Sequence, residues 1–514
     1  MNFFSPYVII KLHILNTRQI RFLTQTEQKK QRGVALYMVF SELFFVFFFF
    51  VLCTALLFLV RTTKRQNMIL LIFSLIFYAW GGPCLLLLLC GMTLVCYLGA
   101  LVIDSLKNRF YQKLGLFMTV AICLILLVFF KYSTFIANNI KGIFQLDTAI
   151  PNIVLPIGIS FYTFQLLSYV IDVFRGQVKA QKKYWILLLY ASLFHQCVAG
   201  PIVRYKQICE ELEARTLTIP DLSDGITRFC VGLAKKAVLA NTCGALVADF
   251  WAEAALPGAT SLTILLGGIC YMLQIYLDFS AYSDMAIGMG KMAGLHYNEN
   301  FNYPYVATSV TDFWRRWHMS LSTFFRDYVY IPLGGSRCKP ARRILNLLAV
   351  WALTGLWHGA SWNYVLWGLY YFLFLVLEKF LIKPKTETTL PWRILRRAGV
   401  LVIVFFGWML FYFEDLSLLG TALNALFGAN GFADLYAKTS LLGNLFFLAV
   451  AILACTPISP KIPKLLQKKE ENTPESRLTT LCGALSVAAP VLLLAISLIF
   501  LVGNTYNPFL YFQF

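Results

Sequence analysis

Apolar residues run through the chain in long blocks rather than in the spaced stripes of a soluble fold. Leu43–Val60, Leu116–Phe130, Leu262–Leu277 and Leu485–Val502 are almost unbroken. A hydrocarbon core of about 30 Å needs roughly 20 such residues in helix. Candidate spans follow near 39–60, 68–80, 84–103, 114–130, 153–174, 226–250, 261–288, 343–358, 361–378, 398–413, 440–457 and 480–503. The pattern predicts an all-α polytopic membrane protein with about 11–12 membrane-embedded helices, short or re-entrant ones included.

Composition narrows the class. Of 514 residues, 59% are hydrophobic and 13% charged, with a mean hydropathy of +0.68. Ordinary soluble domains are roughly half apolar and a quarter charged, so a soluble enzyme, a disordered chain and a fibrous one are excluded. The net charge of +19 raises the question of nucleic acid, and its distribution answers it. With the first span running outside to inside, Lys131, Lys141 and Lys438 fall on the outer side and six basic residues in 1–37, leaving 35 of the 44 Lys and Arg on the cytoplasmic side. That is the positive-inside bias of a bilayer protein, so no nucleic-acid partner is expected. The 13 cysteines mostly sit inside apolar runs and form no Cys-x-x-Cys pair, which reads as small buried hydrophobes.

Residues 1–37 stand apart. Their basic, polar stretch Thr24–Arg32 would lie on the wrong face of that topology, and it lacks the build of a signal peptide. We expect a non-native or disordered extension ahead of a start at Met38, with His13 outside the functional part. Residues 38–514 then form a single membrane domain. The longest polar stretches, Lys379–Arg397 and Lys461–Arg477, are too short to hold a core of their own.

Candidate chemistry concentrates between Leu277 and Asn363. His358 ends the apolar run that begins after Arg343, between Gly355 and Gly359 and before the turn at Ser361-Trp362-Asn363. Fifteen residues of helix, about 22 Å, fall short of a core of about 30 Å, so His358 is expected inside the membrane's thickness, with the two glycines letting another backbone or a substrate come close. An ionisable group at that depth suggests a catalytic base, the alternative being an imidazole bonded to a neighbouring carbonyl. His318 lies in an aromatic and basic stretch read as one amphipathic helix. Phe313, Trp317, Leu321, Phe324 and Tyr328 form its apolar stripe, and Arg315, His318, Ser322 and Arg326 another face. Such a face suits the membrane interface or the phosphates of an anionic donor. Asp278, Ser280 and Asp284 interrupt an apolar span; with Asn363 they suggest a polar network, the following Arg- and His-rich segment being its expected partner. His195 is placed on a re-entrant segment and His296 in a solvated loop. No metal-ligand set and no nucleotide motif stands in a supporting context.

Several motifs in order carry a resemblance. Asp312-Phe-Trp-Arg-Arg-Trp-His-Met-Ser-Leu-Ser322, Phe325-Arg-Asp-Tyr-Val-Tyr-Ile-Pro-Leu-Gly-Gly335 and Gly355-Leu-Trp-His-Gly-Ala360 are joined by Pro156–Gln165, Ala199–Arg204, Asp278–Asp284 and the ending Pro508–Phe514. Together they resemble the membrane-bound O-acyltransferase (MBOAT) family, more narrowly its bacterial alginate O-acetyltransferase branch, over Met38–Phe514. The resemblance implies that His358 is catalytic and His318 the second signature residue. It implies helices around a central acyl-transfer tunnel, an acyl group, acetyl by expectation, taken from a cytoplasmic thioester, and no bound cofactor. Acetyl-CoA is then the donor substrate, held near Arg315, Arg316 and Arg326. The acceptor would be a hydroxyl of an extracytoplasmic polysaccharide or of a hydrolase-like or acetyltransferase partner protein, reached from the bacterial cytoplasmic membrane. At position 195 relatives usually carry proline, so no role passes to His195. Two alternatives remain: D-alanyl transfer to teichoic acid from a carrier-protein thioester, and, from another class, transport of a glycan precursor.

Overall fold

A computed structural model describes the chain from Met38 to Leu510 apart from residues 146–152, 154, 157, 198–199, 382–388, 459–476 and 504–508. The expected extension 1–37 lies outside the described residues. These are helical, with no strand among them. A π-helical turn, Phe45–Phe49, leads into α1 (Phe50–Leu59), followed by α2 (Thr63–Trp80), α3 (Pro83–Ser105), α4 (Arg109–Phe144) and α5 (Ile159–Phe174). Three short helices come next: α6 (Tyr184–Ser192), α7 (Phe194–Cys197) and α8 (Tyr205–Glu213). Then α9 (Ile219–Ala234), a π-helical stretch Lys235–Ala240 and α10 (Asn241–Phe250) form one rod, antiparallel to α11 (Ser261–Met292). After α12 (Val310–Arg316) and α13 (Met319–Phe325), the hairpin of α14 (Pro340–His358) and α15 (Trp362–Phe380) leads to α16 (Leu390–Tyr412), α17 (Leu416–Leu426), α18 (Leu435–Ala454) and α19 (Arg477–Gly503).

Among the described residues, six of these rods are long and apolar enough to cross a membrane: Leu85–Ser105, Arg109–Phe144, Ile219–Phe250, Ser261–Met292, Leu390–Tyr412 and Leu435–Ala454. Burial separates core from lipid-facing helices. The most apolar window of α11 is 72% buried inside the protein, against 17% for α4 and for α18. Large side chains such as Phe48, Leu59, Ile143 and Phe446 are more than two-thirds exposed, as an apolar belt in contact with lipid requires. Lipid tails give helices no hydrophobic reason to associate, so small residues and close backbones hold them. On α9 and α11 the device is visible: a Cβ on Gly225 would lie 2.7 Å from the carbonyl oxygen of Gly288, and one on Gly232 would lie 2.7 Å from that of Ala281.

Four sequence expectations change. The expected span 114–130 is a helix of 36 residues, about 54 Å long, so it overruns the bilayer and carries Lys131 inside it rather than in an outer loop. The helix that ends at His358 begins at Pro340 and has 19 residues, about 28 Å, nearly a full crossing. The single amphipathic helix over 311–330 is broken: α12 stops at Arg316, His318 takes a left-handed φ of 43°, and α13 starts at Met319. The short helices α6, α8 and α17 lie outside the expected spans, being too brief for a hydropathy window to mark them.

Candidate active site

His358 is the last residue of α14, delivered by the hairpin with α15. Gly355 and Gly368 let the two helices touch: a Cβ at Gly355 would stand 2.4 Å from the carbonyl oxygen of Tyr364, and one at Gly368 2.5 Å from that of Trp351. Of the two glycines that flank His358, Gly355 thus admits a backbone, whereas a Cβ on Gly359 would stand 2.2 Å from the Tyr364 ring. The imidazole is 8% exposed and stands edge-on to three rings, Trp357, Trp367 and Phe411, with centroids 5.0, 4.9 and 5.2 Å away. It makes no hydrogen bond among the described residues, so the neighbouring-carbonyl reading is not what the structure has.

His318 reaches the same place from the other side of the sequence. It is 5% exposed and its ring lies 5.7 Å from Trp357. A left-handed backbone is uncommon for a residue other than glycine, though histidine adopts it more readily than most, and Asn300 holds it there. The Asn300 backbone carbonyl accepts from the Met319 amide at 2.8 Å, and Asn300 Oδ1 accepts from the Ser320 amide at 3.1 Å and hydroxyl at 2.9 Å. The Ser320 hydroxyl has a single proton, committed to Asn300, and its oxygen accepts from the Ile202 amide at 3.0 Å. The 3.3 Å contact with His318 Nδ1 therefore places the imidazole proton on Nδ1 and leaves Nε2 as an acceptor. A neutral His318 in that form receives a hydrogen bond; it does not polarise a carbonyl by donating one.

The arginines expected to hold the donor separate. Arg315 is exposed and unpaired among the described residues. Arg316 is paired with Asp312 at 3.0 Å, and Arg326 with Asp327 at 2.7 Å. With the helix broken at His318, Arg315, His318, Ser322 and Arg326 do not share one helical face. Nearby, Arg204 pairs with Asp327 at 2.8 Å, and Arg175 and Arg204 both lie about 5 Å over the Tyr328 ring, whose hydroxyl donates to Asp172 at 2.9 Å. This second basic cluster was not singled out from the sequence, although Arg175 and Arg204 each end an apolar segment.

The polar network is also different from the expectation. Asp278 pairs with Lys236 at 2.6 Å and accepts from the Leu510 amide at 2.8 Å. Asp284 pairs with Arg228 at 2.7 Å and Lys235 at 2.6 Å. Their cations come from α9 and the π-helical stretch before α11, not from the Arg- and His-rich segment after it. Ser280 bonds the carbonyl of Leu277 in its own helix at 3.3 Å. Asn363 belongs instead to the His358 end, donating at 3.0 Å to the carbonyl of Phe411. His195 is buried, with Nδ1 3.3 Å from the Tyr297 hydroxyl. His296, expected in solvent, is half exposed but held by Glu211 at 2.8 Å and Asp221 at 3.4 Å. A cavity of about 720 Å³, lined by Leu265, Met272, Tyr305, Phe405 and Arg397 among others, includes neither His318 nor His358.

Two imidazoles buried against one indole form the candidate site of this multi-pass helical membrane protein. The chain belongs to the membrane-bound O-acyltransferase family, MBOAT, whose family model matches residues 11–419; it is an acyltransferase. It is similar to the probable alginate O-acetylase AlgI of Pseudomonas aeruginosa, 34% identical over 494 residues, covering 86% of this chain and 93% of the relative. A peptidoglycan O-acetyltransferase of Helicobacter pylori is 33% identical, over 70% of this chain and 73% of its own. A teichoic acid D-alanyltransferase of Bacillus subtilis is 30% identical over 45% of this chain and 61% of its own.

Proposed function

We propose that the protein moves an acetyl group from a cytoplasmic thioester, acetyl-CoA, to a hydroxyl of an extracytoplasmic polysaccharide or of a partner protein, across the cytoplasmic membrane of a bacterium. The observation that carries this reading is His358: a buried imidazole with no hydrogen-bond partner among the described residues, framed by aromatic rings. An unpartnered polar group in such a place costs stability, which is reasonable where the free nitrogen is needed for chemistry. His358 takes the proton of the acceptor hydroxyl, the oxygen attacks the thioester carbonyl, the C–S bond breaks and the thiol leaves with a proton. His318, with Nε2 as an acceptor, orients the donor beside Trp357, and the acetyl group passes between the two faces of the membrane through a tunnel in the helix bundle. Arg315 is free to meet the donor's phosphates, while Arg316 and Arg326 are engaged with carboxylates and contribute through the local field.

Acetyl rather than D-alanyl transfer is supported by coverage, since the similarity to the alginate O-acetylase runs over nearly the whole of that relative and that to the D-alanyltransferase over 61%. Sealed vesicles given labelled acetyl-CoA on the cytoplasmic face test the reading. Label should reach a polysaccharide or protein on the opposite face, and His358→Ala should abolish it. Normal transfer by the variant would sink the assignment; transfer only from a D-alanyl carrier-protein thioester would favour the second reading.

A further inference from the structure

The last carbonyls of an α-helix find no partner within it. At the end of α14 two of them are met by consecutive residues of a distant helix. Lys131 Nζ donates to the carbonyl of Trp357, and the hydroxyl of Tyr132 donates to that of Leu356. Lys131 is 9% exposed, its ammonium lies 5.9 Å from the centroid of the Trp357 ring, and Ser160 Oγ, in the first turn of α5, is 3.4 Å away. No carboxylate pairs with it among the described residues. His358 is the residue that follows Trp357, whose carbonyl Lys131 holds.

An ammonium inside a membrane protein without a counter-ion is expensive. Here the negative end of α14 offsets part of the cost, because the carbonyl dipoles of a helix sum towards its C-terminus. Gly359, which follows His358, is extended at φ −170° rather than in the left-handed conformation by which a glycine cap would meet these carbonyls without any buried charge. The charge is instead placed at the helix end whose final residue is His358.

We propose that Lys131, with Tyr132 beside it, is a positioning residue for acyl transfer: the ammonium grips the carbonyl end of α14 and so fixes where the His358 imidazole stands. The inference rests on His358 being the base. A clamp of this kind acts on the turnover step, because small displacements of a reacting group cost rate more than they cost binding.

The test is the initial rate of coenzyme A release from acetyl-CoA in membranes of the native host, which supply the acceptor. Rates are normalised to folded protein measured by size exclusion. Lys131→Met should lower kcat on the order of 10- to 100-fold at unchanged KM for acetyl-CoA. Lys131→Arg should recover most of it, and Tyr132→Phe should cost less than Lys131→Met. Leu127→Ala, one turn earlier on α4 and buried, removes packing without touching α14's carbonyls and should keep its kcat per folded molecule. Should Lys131→Met not accumulate, Lys131→Gln carries the test with the same expected loss. A wild-type kcat in both, failure of arginine to recover the rate, or an equal loss in Leu127→Ala would overturn the proposal. His358→Ala is measured alongside: an active His358→Ala would remove the underlying reading, whereas an inactive one beside a normal Lys131→Met would remove this inference alone.

Discussion

His318 and His358 both stand edge-on to a single indole, that of Trp357, at ring-centroid distances of 5.7 and 5.0 Å. Trp357 is itself packed by Phe161 and Phe164 of α5, at 5.4 and 6.0 Å. The spacing between the two imidazoles is thus set by one rigid side chain. Trp357→Ala should cost about 3–5 kcal/mol as a large buried ring is lost, and Trp357→Phe clearly less. The thermal midpoint in detergent checks the stability order. Initial rates per folded molecule should fall in the same order, and equal rates in all three proteins would disprove the spacing argument.

The hairpin that delivers His358 depends on two glycines. Gly355→Ala would drive a methyl to 2.4 Å from a backbone oxygen, where no flexible side chain can yield. We expect destabilisation of about 1–3 kcal/mol, the usual cost of overpacking, and a larger fractional loss of kcat than of folded yield. Gly420→Ala, with nothing near its Cβ, is the matched control and should be neutral in both measurements.

The buried pair Lys236–Asp278, with side chains 4% and 1% exposed, and the pair Lys291–Asp224, 31% and 69% exposed, should behave differently. Removing one member of a buried pair costs about 3–5 kcal/mol; an exposed pair is worth about 0–1 kcal/mol. Asp278→Ala should therefore reduce the amount of folded protein in the membrane, while its rate per folded molecule changes little. Asp224→Ala should alter neither. A large loss of kcat in a fully folded Asp278→Ala would instead place Asp278 in the chemistry.

How much of this was legible in the sequence depends on how local the cause is. The α14–α15 hairpin and the place of His358 follow from an apolar run, its flanking glycines and a turn, all within a short window. The stripe Phe313, Trp317, Leu321, Phe324 and Tyr328 is buried throughout, because burial was decided by the residues themselves. The basic face failed because the break at His318 is held by Asn300, which lies outside that stretch. That Arg316 is engaged could have been read from Asp312 at i−4, whereas adjacent helical residues do not ordinarily face each other and the pair Arg326–Asp327 could not. Lys235, Lys236 and Arg228 were counted as cytoplasmic-side charge, and Lys131 as an outer residue. Their partners lie on other helices, and no pattern along one segment reports that.

His296 gives a pH dependence outside the membrane-spanning rods. Partial burial disfavours its charged form, but hydrogen bonds from both ring nitrogens to Glu211 and Asp221 outweigh this and raise its pKa above the ordinary 6.5. A raised folded-state pKa means that the stabilising contribution is complete below the unfolded value and is lost as pH rises through the folded one. The thermal midpoint of the wild type should therefore fall between about pH 6 and about pH 8 by more than that of His296→Gln. Since His296 is half exposed, the difference should be small and should shrink in high salt. Identical pH profiles for the two proteins would show that the contact carries no charge.

The proton placement at His318 leads to a sharper test. Asparagine accepts a left-handed backbone more readily than most residues, and its side-chain amide can donate to Ser320 as Nδ1 does, but it has nothing in the place of Nε2. His318→Asn should therefore keep the α12–α13 junction and the thermal midpoint close to wild type while transfer falls by about 10²- to 10⁴-fold. His318→Ala loses the Ser320 contact and the tolerance of φ 43°, so it should lose stability as well as rate. Ser320→Ala removes the acceptor that fixes the tautomer without touching Nε2. It should lower the rate less than His318→Asn, with the Asn300 amide contacts to Met319 and Ser320 intact. If His318→Asn transferred acetyl at the wild-type rate, His318 would serve only to shape the junction, and the chemistry would rest on His358 alone.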